Sequence, residues 1–246
     1  MSMHSDNFGV RCVAWASMLA LSIVAAPVYA SVSIATDELA QSLTAAARHA
    51  DPGVVLLAAR ALGCASRSGL VSEPHTLSII DYSRPSSEPR LWVFDLQHQS
   101  LLFEELVAHG RNSGGDGAPM RFSNADGSLM SSIGVFLTAE TYTGAKGYAL
   151  RLIGLEAGFN DHAIERAIVM HGAWYVDALL GQSQGRIGRS WGCPALRPAI
   201  ARSLMDTIRG GSLLVAYYPD RDWLQRSAFV GECGDATRAD STARRP

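Results

Sequence analysis

Between residues 76 and 218 the apolar residues fall in short runs, each closed by glycine, proline, serine or asparagine. A chain patterned this way builds many short strands and has little room for long amphipathic helices. Candidate strands cover 76–82, 90–95, 101–108, 134–139, 148–152, 167–171 and 212–218, with loop compositions at 83–89, 110–117 and 144–147. One stretch breaks the pattern: in 198–209, Ile200, Leu204 and Ile208 recur at helical spacing. The expectation is a mainly β domain with peripheral helices.

Ahead of this domain, 35–50 and 51–64 are rich in alanine and leucine. Thr36 or Asp37 suits the cap of a first helix, and Asp51 followed by Pro52 suits the start of a second. The reading is a helical extension over 31–75, a main domain over 76–220 and a C-terminal tail over 221–246, loose from Gly231 onward. At the amino terminus Arg11 precedes an uncharged run to Ala26, and Val28-Tyr29-Ala30 offers small residues before a cut. This predicts a signal peptide over 1–30 with Ser31 as the first mature residue. Retention as an uncleaved anchor is the alternative, which Ser17, Ser22 and Pro27 weaken. Both versions place the chain outside the cytoplasm, in the periplasm or cell envelope, and cleavage leaves no stable membrane insertion. Cleavage also leaves three cysteines, Cys64, Cys193 and Cys233. An odd number in an oxidising compartment reads as one reactive thiol plus a Cys64–Cys233 disulfide, or as three unrelated thiols.

The densest chemical signal is Gly188-Arg189-Ser190-Trp191-Gly192-Cys193-Pro194-Ala195-Leu196, downstream of Ile168-Val169-Met170-His171-Gly172. A cysteine becomes a nucleophile when a neighbouring cation, usually a histidine, favours its thiolate. Cys193 is the candidate nucleophile and His171, at the end of an apolar strand, its base. Gly192 allows a sharp turn before the sulfur. Pro194 has no N–H, so an oxyanion hole here must draw on the amides of Cys193, Gly192 or Trp191.

Other chemistries fit less well. Gly188-x-Ser190-x-Gly192 matches a hydrolase nucleophile elbow, but that fold needs a histidine after the serine and none of the seven lies beyond His171. The only lysine, Lys146, follows Thr143 and cannot complete Ser-x-x-Lys. His162 and His171 stand nine residues apart without a zinc-ligand pattern, so neither metal nor cofactor is expected. A net charge of -2 gives no footing for a nucleic-acid partner.

Taken together, Leu91-Trp92-Val93-Phe94-Asp95-Leu96, Val107-Ala108-His109-Gly110-Arg111-Asn112-Ser113-Gly114, Phe122-Ser123-Asn124, Gly127-Ser128, Ile168 to Ala173 and Gly188 to Leu196 resemble the murein L,D-transpeptidase catalytic domain family over about residues 76–218. The resemblance implies a compact β-sandwich or barrel-like fold. It also implies a cysteine that attacks the bond between an L-configured centre and a D-residue in peptidoglycan stem peptides, through a thioester acyl-enzyme. By this carry-over Cys193 is nucleophile, His171 base, and Ser190 and Gly192 shape the site. Many members of the wider superfamily carry histidine where this chain has Trp191, so a second site histidine does not carry over; Trp191 suits a groove wall. Arg189, and beyond it Arg111 and Asn112, are candidate substrate contacts, with loop chemistry as the plainer explanation. The acyl-enzyme can be resolved by a second stem peptide, which makes a crosslink, or by water, which makes an L,D-carboxypeptidase or endopeptidase. A wall-binding module without turnover is the non-enzymatic alternative.

Overall fold

The computed structural model describes Met1 and residues 28–233 except 116, 146 and 232. The expected signal segment up to residue 27, and the tail from 234, lie outside the described residues. Helix α1 spans Val28–Ala46. It starts well before residue 35, so Thr36 and Asp37 lie inside it and not at its cap. The reason is local: neither glycine nor proline occurs between Val28 and Ala46, so nothing stops the helix. Helix α2, Pro52–Arg67, begins as its sequence predicts, with Asp51 Oδ1 accepting the Gly53 and Val54 amides at 2.8 and 3.1 Å. No described helix is long and apolar enough to cross a membrane.

The rest is mostly β. Nine strands follow: β1 Thr76–Asp81, β2 Leu91–Asp95, β3 Ser100–Glu105, β4 Val107–Ala108, β5 Gly134–Gly144, β6 Gly147–Gly154, β7 Val169–Gly172, β8 Ala195–Leu196 and β9 Leu213–Tyr217. They form one sheet in the order β3-β2-β1-β9-β5-β6-β7-β8-β4. Its two edges, β3 and β4, are consecutive in the chain with only Leu106 between them. A sheet whose opposite edges are joined by one residue must curl back on itself, and this one is a nearly closed barrel.

The single predicted strand over 101–108 is therefore two strands holding opposite edges. Two elements carried no usable periodicity: β8, only two residues long, and helix α3, Ala178–Gln184. Helix α4, Pro198–Ile208, buries Ala201, Leu204, Met205 and Ile208 and packs against β1, β6 and β7. Because α2 and α4 both contact β1, all six residues of β1 are buried, the polar Thr76, Ser78 and Asp81 as well as Leu77, Ile79 and Ile80.

The seam is held by Arg90, which is fully buried. Its Nε and Nη2 donate to Val107 O at 3.1 and 2.8 Å, and Nη1 donates to Arg84 O at 2.8 Å. The residues after 220 are ordered at their start: helix α5, Arg221–Arg226, sinks Trp223 completely into the core. Cys233 forms a disulfide with Cys64 of α2, their Cα atoms 5.5 Å apart.

Glu156 anchors that returning segment. Its buried carboxylate accepts the Val135 amide at 2.6 Å, Trp223 Nε1 at 2.9 Å and the Ser227 hydroxyl. Burial pushes its pKa up, and the hydrogen bonds from Ser227, Trp223 and Val135 oppose that shift. Glu156→Ala leaves three buried donors unpartnered and is expected to lower stability in urea unfolding by about 3 kcal/mol or more. Glu156→Gln, whose amide oxygen can still accept the Val135 and Trp223 donors while its NH2 donates to the Ser227 oxygen, is expected to lose less than about half of that. Equal losses would show that the hydrogen bonds contribute little.

Candidate active site

The site is built where β7 meets β8. These strands pair in parallel with His171 opposite Ala195, and the His171 amide donates to Pro194 O at 3.4 Å. Parallel register thus sets the histidine beside the turn that carries Cys193. Both side chains are buried, Cys193 with 8% exposure. His171 Nδ1 lies 3.0 Å from Gly172 O, which makes Nδ1 the protonated nitrogen and fixes the tautomer. Cys193 Sγ lies 3.5 Å from the Val169 amide and 3.6 Å from Ala167 O. The amide favours a thiolate, and the carbonyl accepts the proton of the thiol.

The turn that carries Cys193 is locked from within. Ser190 Oγ donates to Cys193 O at 2.6 Å and accepts the Gly192 amide at 3.1 Å. That commits the Gly192 N–H and removes it from the three candidate oxyanion donors. Gly192 has φ +127°, and a Cβ there would stand 2.8 Å from Met130 O and 3.0 Å from Ile168 Cδ1. Glycine is needed for both conformation and space. Ser131 fastens the turn to its surroundings, donating from Oγ to Gly192 O and accepting the Gly110 amide, both at 3.0 Å.

A second set of contacts continues the sheet beyond β4. Ser190 donates its amide to His109 O at 2.9 Å, and Arg111 donates its own to Ser190 O at 2.8 Å. Arg189 Nη1 donates to the carbonyls of Arg111 and Gly114 at 3.1 and 2.9 Å. Arg189 Nη1 therefore holds the neighbouring loop in this structure. Arg111 is exposed; Asn112 Nδ2 donates to Ser128 O at 2.9 Å, tying two loops together. Arg197 forms an ion pair with Glu105, its Nε 2.8 Å from Oε2. Trp191 is 64% exposed, and Trp174, three residues after His171, is 80% exposed.

Several neighbours carried no sequence signal. Burial raises the pKa of Tyr82 against the opposing pull of Arg90 and Ser131, and pushes Tyr175 up to about 12; a negative charge at Cys193 adds a smaller push to each. Both phenols stay neutral around the sulfur. Arg166 binds the segment 123–132 through four acceptors. His109 Nδ1 sits 2.8 Å from Arg90 Nη2, and its pKa is held down to about 3 by burial first, then by the charges of Arg90 and Arg189.

An L,D-transpeptidase catalytic domain model matches residues 46–217, which take in α2 as well as the whole sheet. The chain belongs to the L,D-transpeptidase catalytic domain family. Similar solved structures include an L,D-transpeptidase from Mycobacterium smegmatis, 15% identical over 58% of this chain and 59% of that one, with TM-score 0.35. L,D-transpeptidase 1 from Mycobacterium tuberculosis is 13% identical over 58% and 62% of the two chains, with TM-score 0.33. An L,D-transpeptidase from Stackebrandtia nassauensis is 13% identical over 76% and 92%, with TM-score 0.36. The chain thus spans about six tenths of the length of the mycobacterial structures. No curated protein matches.

Two outcomes test this geometry. Gly192→Ala is expected to lower stability by about 1–3 kcal/mol in chemical denaturation, since the positive φ is strained for alanine and Met130 must move. A neutral effect would mean that the turn is loose. For His109, the folded pKa of about 3 lies below the unfolded value of about 6.5. The unfolded chain therefore binds the proton first, and stability falls as pH drops from about 6.5 toward 3. His109→Gln removes that term, so wild type should lose more stability than the variant between pH 7 and 4; parallel losses would place His109 in water.

Proposed function

We propose that this chain is an exported enzyme of the cell envelope that transfers acyl groups between peptidoglycan stem peptides, with Cys193 as nucleophile and His171 as base. The observation that carries this reading is the β7–β8 register, which sets a tautomer-fixed histidine beside a cysteine held in a glycine turn, inside a domain whose family match runs from 46 to 217. With Nδ1–H directed at Gly172 O, Nε2 is the nitrogen that takes the thiol proton. The thiolate then attacks the carbonyl at the L-configured centre of the stem peptide. The C–N bond to the terminal D-alanine breaks, the imidazolium returns its proton to that amine, and a thioester forms on Sγ. The amine of a second stem peptide attacks the thioester, gives a proton to His171 and leaves a crosslink with the thiol restored.

The exposed ring of Trp191 supports a role as a wall of the groove beside the sulfur. Ser190 and Gly192 hold the turn, and the amide of Val169 favours the thiolate. Arg111 and Arg189 line the loop beside this turn, where Arg189 serves the groove by holding the loop's carbonyls.

The test is a purified chain from Ser31 onward given a tetrapeptide-stem muropeptide, alone and with a second stem. D-alanine release and a crosslinked dimer are expected. Cys193→Ala and His171→Ala should each reduce release by at least about a thousand-fold. Tripeptide without dimer would assign hydrolysis in place of transfer, and no release from tetrapeptide, pentapeptide or crosslinked stems by folded protein would leave the wall-binding reading.

A further inference from the structure

Arg166 stands at the end of the turn-rich stretch that leads into β7. Its guanidinium is only half-buried, yet all four of its hydrogen bonds go to one segment. Nη1 donates to Ser123 O at 2.7 Å and Ser132 Oγ at 2.6 Å; Nη2 donates to Ser128 Oγ at 3.0 Å and Met130 O at 2.8 Å. Met130 O is the atom pressed against Gly192. Segment 123–132 contains no strand or helix, so its shape depends on such contacts.

The backbone at Arg166 also reaches the sulfur. Ala167 adopts φ +51°, which reverses the chain into β7 and leaves its carbonyl 3.6 Å from Cys193 Sγ. The four acceptors on the guanidinium are neutral, and no carboxylate among the described residues lies within ion-pair distance of it; Asp126 acts only at longer range. Among the groups that sense a charge at Cys193 are Arg166, from the turn before β7, and the phenols of Tyr82 and Tyr175. His171 stands beside them on β7. The phenols are neutral, and an imidazole is cationic only after it takes a proton. Arg166 is the fixed positive charge of this set.

We propose that Arg166 is a positioning residue for the nucleophile: its fork fastens segment 123–132 onto the Cys193 turn, and its charge lowers the pH at which the thiolate forms. The proposal rests on Cys193 being the nucleophile, but its readout needs no peptidoglycan. Burial lowers the Arg166 pKa, and the charges of Asp126 and then Cys193 oppose that shift; the interaction with Cys193 is reciprocal, so a thiolate is itself favoured by the arginine. A purely structural arginine would hold the segment and leave the thiol titration alone.

The experiment measures Cys193 alkylation by iodoacetamide from pH 5 to 9 in the disulfide-intact chain, together with the rate of trypsin cleavage after Arg121. The proteins are wild type, Arg166→Met, Arg166→Lys and Ser128→Ala/Ser132→Ala. In Arg166→Met the alkylation midpoint should rise by about one pH unit. Arg166→Lys keeps the charge and loses the fork, so its midpoint should stay within about 0.3 units of wild type while cleavage after Arg121 accelerates. The double serine variant should do the same. An unchanged midpoint in folded Arg166→Met, or equal shifts in the Met and Lys variants, would overturn the electrostatic role. Should Arg166→Met fail to fold, a rise of a full unit in the Lys or serine variants would overturn it equally. Unaltered cleavage in every variant would overturn the clamp. A wild-type midpoint no lower than that of a free cysteine would overturn this proposal and the nucleophile assignment together, whereas failure of muropeptide turnover alone would leave the midpoints standing.

Discussion

Closure of the sheet across Leu106 is the constraint on which the remaining structure depends. Because β3 and β4 are one stretch of chain serving opposite edges, the strands between them have to curl, and the site forms near the seam. A buried arginine holds that seam. Arg90 gives three hydrogen bonds to the carbonyls of Arg84 and Val107, and a fourth contact to His109. Burial lowers its pKa to about 10, so it keeps its charge at neutral pH, and that charge adds to the burial that keeps His109 neutral. From His109 the chain runs straight into the backbone pairing with Ser190, and from Ser190 into the cysteine turn.

That connection explains how a loop-borne cysteine can be held without a long strand beneath it. β8 has only two residues, yet the turn before it is tied through Ser190, Ser131 and the backbone of 109–111. Each tie is short and mostly buried, so the sulfur has a defined position before any substrate arrives. Preorganisation of this kind favours covalent catalysis, because little ordering remains to be done when the carbonyl is attacked. The exposed faces of Trp174 and Trp191 contrast with the buried serines beneath them: a rigid floor with aromatic surfaces open to solvent.

What could be read from sequence follows the range of each interaction. Asp51 was legible as a cap because its partners are two and three residues away. His171 and Cys193 stand out as candidates because their residue types and glycine neighbours are contiguous, and the β7–β8 pairing brings their segments together. The start of α1 was misplaced because capping residues inside an uninterrupted helix look like an N-terminus. β8 and α3 escaped because two and seven residues carry too little periodicity. Arg166 was invisible since its acceptors lie 34 to 43 residues upstream, and nothing local distinguishes it from a solvated arginine. The partners of Arg189 and Arg197 are likewise long-range: Arg189 Nη1 meets loop carbonyls 75 and 78 residues upstream, and Arg197 meets Glu105, 92 residues upstream.

The central claim is that the sulfur of Cys193, and no other atom, carries the acyl group. Intact-mass spectrometry of the chain quenched in acid during turnover of a tetrapeptide-stem muropeptide tests it most directly. The account predicts an adduct equal to the donor stem less D-alanine, mapped by peptide digestion to Cys193 and released by hydroxylamine as a thioester is. An adduct on Ser190 or another side chain, or rapid D-alanine release with Cys193 replaced by alanine, would contradict it.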